Sequence, residues 1–229
     1  MHPEPFTSTE IDFPHPTGGR TEFYIVRHGR TEGNVRRVLV GRTDIPLDEL
    51  GVRQAAAVAE YFHGFHRPDV ILASPLDRAR TTAKAISDLL QLPIEIEDDL
   101  AELNFGSYEG RSWVELLEQE PEFAAQIQNL EHDLQWPGGE RLSEFHQRVR
   151  AVFSRLAARY DNHSAIVVSH GGVVGSLVSQ LLGTPPNDWA RYQIQNCSVT
   201  HMEIGSHRSV LHRLNDVEHL SALDSVVHG

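Results

Sequence analysis

Phe23-Tyr24-Ile25-Val26-Arg27-His28-Gly29 is a run of four apolar residues that ends abruptly in an arginine, a histidine and a glycine. A run so short and so apolar suits a strand buried on both faces, as in a parallel sheet. A second run, Ala165-Ile166-Val167-Val168, ends the same way in Ser169-His170-Gly171-Gly172. Each histidine is therefore expected at the carboxyl end of a buried strand, where open α/β sheets bind their ligands. With an arginine beside the first, the pair suits attack on a phosphate and its retention.

Outward from these runs, helical and strand patterns alternate. Leu50 to Phe62 predicts a helix with Val52, Ala55, Ala56, Ala59 and Phe62 on one face. Val70-Ile71-Leu72-Ala73 reads as a buried strand, and Ser74-Pro75 as the cap and first turn of a helix reaching Leu90. Its apolar positions are Leu76, Ala79, Ala83, Ile86 and Leu90. Pro93 to Ile96 alternates as a strand near one edge. Leu100 to Gly139 loosens into loop and short helices, broken by Pro121 and Pro137-Gly138-Gly139. A helix over about Ser143–Tyr160 turns Phe145, Val149, Val152, Phe153 and Leu156 inward. Gly172–Leu182 predicts another helix, and Ser198–Ile204 and Ser209–Leu214 read as strands. This alternation indicates an α/β protein with a largely parallel sheet covered on both faces. Residues 1–20 hold four prolines and two glycines and no periodicity, the pattern of a flexible tail. Residues 21–229 then form a single domain.

The bulk numbers agree with a soluble globular chain. Of 229 residues, 40% are hydrophobic and 23% charged, enough for a sizeable core. The one cysteine, Cys197, excludes an internal disulfide and a thiolate zinc cluster, and reads as a small buried apolar side chain. No apolar stretch has bilayer length and no signal peptide opens the chain, so a cytoplasmic location is the expectation, with no membrane partner. A net charge of −12 argues against nucleic acid as a partner. A phosphate pocket would then need local positive charge, and Arg27, Arg30, Arg36, Arg37 and Arg42 supply it within one short segment.

Four positions acquire meaning together: Arg27-His28, Arg78, Glu102 and His170. A neutral imidazole is a competent nucleophile toward phosphorus, and a covalent intermediate divides one hard displacement into two easier ones. Arginine forks match pairs of phosphate oxygens, so Arg27 and Arg78, with His170, could surround the phosphoryl group. The amides opening the helix at Gly171-Gly172 would add donors. The leaving oxygen needs a proton, and a carboxyl beside a phosphate dianion is suited to carry one. Glu102 is the carboxyl chosen for that role. Each element alone has an ordinary reading as a capping histidine, a surface arginine or a surface acid. Only their joint occurrence is specific. The remaining histidines are expected on the surface, and the His63/His66 pair, with no acid or thiolate set beside it, is not expected to bind metal.

At this point the chain resembles the histidine phosphatase superfamily, the phosphoglycerate-mutase-like proteins, from Phe23 to about Leu220. Arg27 through Asn34 looks like the opening motif, whose histidine is the phosphorylated nucleophile and whose arginine and asparagine positions contact phosphate. Gly41-Arg42-Thr43-Asp44-Ile45-Pro46-Leu47 looks like the substrate loop. Ser74 through Ala83 is similar to the segment supplying the second arginine, and Leu100 through Gly110 to the acid loop. Gly138-Gly139-Glu140 and Ser169-His170-Gly171-Gly172 complete the set. The resemblance implies a three-layer α/β/α sandwich with a mostly parallel sheet, and catalysis without metal or other cofactor. It implies His28, Glu102, His170, Arg27 and Arg78 as catalytic residues, and Asn34, Gly41, Arg30, Arg42 and Gly171 at the substrate. Members include mutases and phosphatases. Mutases carry basic residues in the insert after the acid loop, whereas Ser112–Trp136 here contains no lysine or arginine, and Val40 replaces a common hydroxyl. Arg30 and Ala101 also depart from the usual pattern, which could retune the pocket. The expectation is hydrolysis of a small-molecule phosphate ester. The alternatives are a bisphosphoglycerate-dependent mutase, a phosphoprotein phosphatase, whose open pocket the insert would cover, and a non-catalytic binding module. The family leans toward a homodimer, which the residues themselves do not specify.

Overall fold

The apolar runs pair into one six-stranded sheet. Its strands are β1 (Arg20–Arg27), β2 (Val70–Ala73), β3 (Ile94–Ile96), β4 (Ser164–Ser169), β5 (Val199–Gly205) and β6 (Ser209–Asp216), in the order β3-β2-β4-β1-β5-β6. The computed structural model describes residues 19–64, 68–128, 133–205 and 209–224. The expected tail over 1–20 thus lies, except for its last two residues, outside the described residues, as does His66 of the histidine pair. β1 pairs in parallel with β4, β4 with β2, and β2 with β3, while β5 runs antiparallel to both β1 and β6. Only β5 therefore opposes the common direction, and the sheet is mixed but mostly parallel.

Alternation along the central strands supplies two cores. Phe23 and Ile25 of β1 point to one face, where α6 (Leu142–Arg159) and α7 (Gly171–Leu182) lie, and Phe23 packs edge-on against Phe153 at 5.4 Å. Val26, Ile71 and Val168 point to the other, against α2 (Glu49–His63) and α3 (Asp77–Leu90). Two covered faces make the three-layer sandwich. No described helix is long and apolar enough to cross a membrane.

Several local expectations shift. A short helix, α1 (Glu32–Val35), opens with a Thr31–Asn34 capping box that hydrophobic periodicity could not reveal. α2 buries Gly51, Ala55, Val58, Ala59 and Phe62, whereas Val52 is 53% exposed and Ala56 also faces solvent. The cause is close backbone approach. A Cβ on Gly51 would meet the Arg30 carbonyl oxygen at 2.0 Å, so the helix seats through its glycine and turns Val52 outward. α3 starts at Asp77, two residues later than Ser74-Pro75 implied: its cap position is Leu76, which carries no side-chain acceptor, while the Ser74 hydroxyl accepts from Leu76 N at 3.3 Å. Of the histidines assigned to the surface, His146 is buried at 8% exposure, with Nδ1 2.7 Å from the Ser176 hydroxyl, linking α6 to α7. Cys197 is buried, as its composition suggested. The insert forms α4 (Trp113–Gln119) and α5 (Pro121–Gln128), whose Leu116 and Phe123 join the first core.

Candidate active site

β1 and β4 are neighbours running in the same direction, so the residues that follow them emerge side by side. The rings of His28 and His170 lie 5.1 Å apart, both buried. The His28 Nδ1–H donates to its neighbour's carbonyl, Gly29 O, at 2.8 Å. A carbonyl only accepts, so the proton sits on Nδ1 and the Nε2 lone pair is free. Burial and the charges of Arg27 and Arg78 hold His28 well below the usual imidazole range, keeping it neutral. His170 is shifted the same way by burial and by Arg78, His28 and Arg27, and its Nε2 lies 2.7 Å from the Ser74 hydroxyl.

The His28 backbone is held from three directions. Its amide donates to Ser169 O at 2.9 Å, the next amide, Gly29 N, donates to Thr82 Oγ1 at 3.0 Å, and Asn196 Nδ2 donates to the His28 carbonyl at 3.0 Å. Asn196 also donates to Asn34 Oδ1 at 3.2 Å, tying α1 to the His28 backbone.

Two arginines enter from different elements. Arg27 ends β1, donates to Ile194 O, and keeps a buried Nε with no partner. Arg78 occupies the first turn of α3, is 1% exposed, and donates to Gly41 O at 2.7 Å and Thr43 O at 3.0 Å. Its Nε is likewise buried and unpartnered. Burial lowers both guanidinium pKa values, and the carboxylate of Glu102 opposes that shift. Gly41, at φ +53°, is a position where only glycine fits: a Cβ would lie 2.1 Å from Glu109 Oε1. Glu109 accepts from the backbone amides of Arg42 at 2.8 Å and Thr43 at 2.7 Å, which fixes the loop Arg78 holds.

Glu102 reaches the same site from the loop after β3. Its Oε1 accepts from Leu103 N at 2.9 Å and its Oε2 from Gly172 N at 3.0 Å. A Cβ at Gly172 would sit 2.2 Å from Oε1, so glycine is what admits the carboxylate to the amino end of α7. That amide, expected to serve phosphate, is thus bonded to the acid. Behind the loop stands Arg148, a residue the sequence reading did not single out. It donates to Asp99 O at 2.7 Å, Ala101 O at 2.8 Å and Glu102 O at 3.3 Å, and to both oxygens of Glu140. Glu140 in turn accepts from Asn104 N at 2.8 Å, so one ion pair grips the backbone on both sides of Glu102.

These groups meet at a pocket of about 230 Å³. Arg27, His28, Asn34, Gly41, Arg78, Glu102 and Gly171 all line it, and His170 packs directly behind His28. Two expected substrate residues do not reach the wall. Arg30 is drawn off by Asp48, the cap of α2, at 2.7 Å. Arg42 turns toward Glu140, 3.8 Å away. The described residues of 112–136 do not line the pocket either, contrary to the expected cover: Leu116, Phe123, Leu134 and Trp136 are spent in the core, and Val38–Val40, Phe105, Trp189, Ala190, Gln193 and Ile194 form the outer wall. Ser74, Thr82, Arg148 and Asn196 were missed because each acts through a contact distant in sequence. Among the described residues no three His, Cys, Asp or Glu side chains converge as metal ligands would.

Residues 23–217 match the family model of the histidine phosphatase superfamily, branch 1. The probable phosphoglycerate mutase GpmB of Yersinia pestis is 34% identical over 182 residues, covering 80% of this chain and 84% of that protein. Among solved structures, an α-ribazole phosphatase from Shigella flexneri is similar with a TM-score of 0.75 and 28% identity, over 85% of this chain and 96% of that one. A phosphoserine phosphatase from Entamoeba histolytica, in complex with phosphoserine, is similar with a TM-score of 0.80 and 26% identity, over 87% and 99%.

Proposed function

The chain belongs to the histidine phosphatase superfamily, and from that membership and the site geometry we propose a phosphomonoesterase that works through a phosphohistidine on His28. The observation that carries the reading is a neutral imidazole with Nε2 free, beside two buried guanidinium groups that each keep an unpartnered Nε. In the first step Nε2 bonds to phosphorus as the ester P–O bond breaks, and the proton of Glu102 passes to the leaving oxygen. In the second, water gives a proton to the Glu102 carboxylate and attacks phosphorus. The P–N bond breaks and its electron pair returns to His28. Arg27, Arg78 and Asn34 hold the phosphoryl oxygens, where positioning and charge carry most of the catalysis of phosphoryl transfer. His170, fixed by Ser74, supports the nucleophile from behind.

None of these steps calls on a metal ion or other cofactor, and the substrate is a small phosphate ester. The mutase reading draws on the name of the curated relatives. Against it stands the absence of any lysine or arginine from 112–136. The test is phosphate release from a panel of phosphorylated metabolites with EDTA present. Release is expected from the intact enzyme and not from His28→Ala, with an unchanged circular dichroism spectrum. Interconversion of phosphoglycerates on addition of 2,3-bisphosphoglycerate, without net release, would replace hydrolysis with mutase chemistry.

A further inference from the structure

Resting on the phosphatase reading, we propose that the alcohol this site accepts is uncharged and presents an apolar or aromatic face, with no second anionic group. The pocket is divided by chemistry. Its inner end carries His28, Arg27, Arg78 and Glu102, while its outer wall is Val38, Leu39, Val40, Phe105, Trp189, Ala190 and Ile194, with one uncharged polar side chain, Gln193. The rings of Phe105 and Trp189 lie 6.5 Å apart, tilted by 34°, on one side of that wall.

Charge decides what may sit there. Among the described lining residues the guanidinium groups are Arg27 and Arg78, both at the phosphoryl end, and the one carboxylate is Glu102. A second phosphate or a carboxylate on the substrate would lose its hydration against apolar side chains with no cation to meet it. Two further guanidiniums beside the acid loop are engaged elsewhere. Arg42 faces Glu140, and Arg148 is bonded to three backbone carbonyls and Glu140. An apolar ring instead gains from leaving water and from stacking on Trp189 or Phe105. Size agrees. A cavity of ~150 Å³ accommodates benzene, so about 230 Å³ leaves room for one small ring beside a phosphoryl group.

The experiment compares esters of primary alcohols, so that chemistry at the leaving oxygen varies little: 2-phenylethyl phosphate, glycerol 3-phosphate, O-phosphoserine and 3-phosphoglycerate. We expect kcat/KM for 2-phenylethyl phosphate to exceed that for glycerol 3-phosphate by about tenfold and that for 3-phosphoglycerate by about a hundredfold. In Trp189→Ala the value for 2-phenylethyl phosphate should fall, through KM, at least about fivefold further than that for glycerol 3-phosphate, and Trp189→Phe should recover most of it. Equal rates across the esters, a preference for either anionic substrate, or a uniform loss in Trp189→Ala overturns the proposal while leaving the phosphatase standing. No phosphate release from any ester, or release that survives His28→Ala, overturns the phosphatase reading and this proposal with it.

Discussion

The surroundings that suit His28 to the proposed attack on phosphorus also make it a liability in acid. Burial and two flanking arginines push His28 and His170 below 6.5, so the unfolded chain binds a proton at each before the folded chain does. Where the unfolded state holds more protons, stability rises with pH. Falling pH therefore costs stability below about 6.5, by up to ~1.4 kcal/mol per pH unit for each histidine, and above it neither contributes. The melting temperature should drop between pH 7 and pH 5, and the drop should be shallower in His28→Ala. Parallel melting curves for the two proteins would remove His28 from this account. For Glu102 the leaving group is the probe. Glu102→Gln should slow alkyl esters by about 10²–10⁴-fold but aryl esters much less, since phenolates depart without a proton; equal losses would exclude the acid role. Arg27, His28 and Glu102 were legible in the sequence because each stands in a local pattern. Arg30 was misread for a physical reason: an arginine's destination depends on where a carboxylate waits, and Asp48 becomes its neighbour only once α2 has docked.

The acid loop shows how an element inherits its shape from another. Residues 98–105 contain one 3₁₀ turn, and their carbonyls and amides are satisfied from α6 through Arg148 and by Glu140 just before it. Arg148→Met keeps the stem of the side chain and removes its five donors. Three backbone carbonyls and Glu140 then lose the donors Arg148 supplied, so a loss of about 2–4 kcal/mol is expected in denaturant titration. A loosened Glu102 should also lower kcat for alkyl esters about tenfold or more with little change in KM. A variant less stable but normal in kcat would limit Arg148 to a structural part. The sequence placed α6 to within a residue at each end, because five inward apolar side chains keep a 3.6-residue period. On α2 it placed Ala55, Ala59 and Phe62 inward correctly but also Val52 and Ala56, which face solvent, because there the contact is made by Gly51, which carries no hydrophobic signal.

For the molecule as a whole, the three layers were readable from the alternation of buried runs and amphipathic helices, whereas the order of strands was not. That order depends on which runs pair across long stretches of chain, and periodicity is silent about partners. The sandwich should be most sensitive where the layers meet. Phe153→Ala removes the ring that packs edge-on against Phe23, and should cost about 3–5 kcal/mol while leaving kcat/KM of the folded enzyme unchanged. A loss under ~1 kcal/mol would mean the layers are held together elsewhere. The central position of β1 has a consequence for the chain as it is made. Both strands that flank it, β4 at Ser164–Ser169 and β5 at Val199–Gly205, belong to the last third of the sequence. At ~5–20 residues per second, β1 leaves the ribosome on the order of ten seconds before its first neighbour exists. Through that interval its apolar run has two bare hydrogen-bonding edges, the condition under which strands pair with the wrong chain. The nascent protein is therefore the form most in need of a chaperone, and an early stop anywhere before β4 yields a product in which β1 has no native neighbour to pair with.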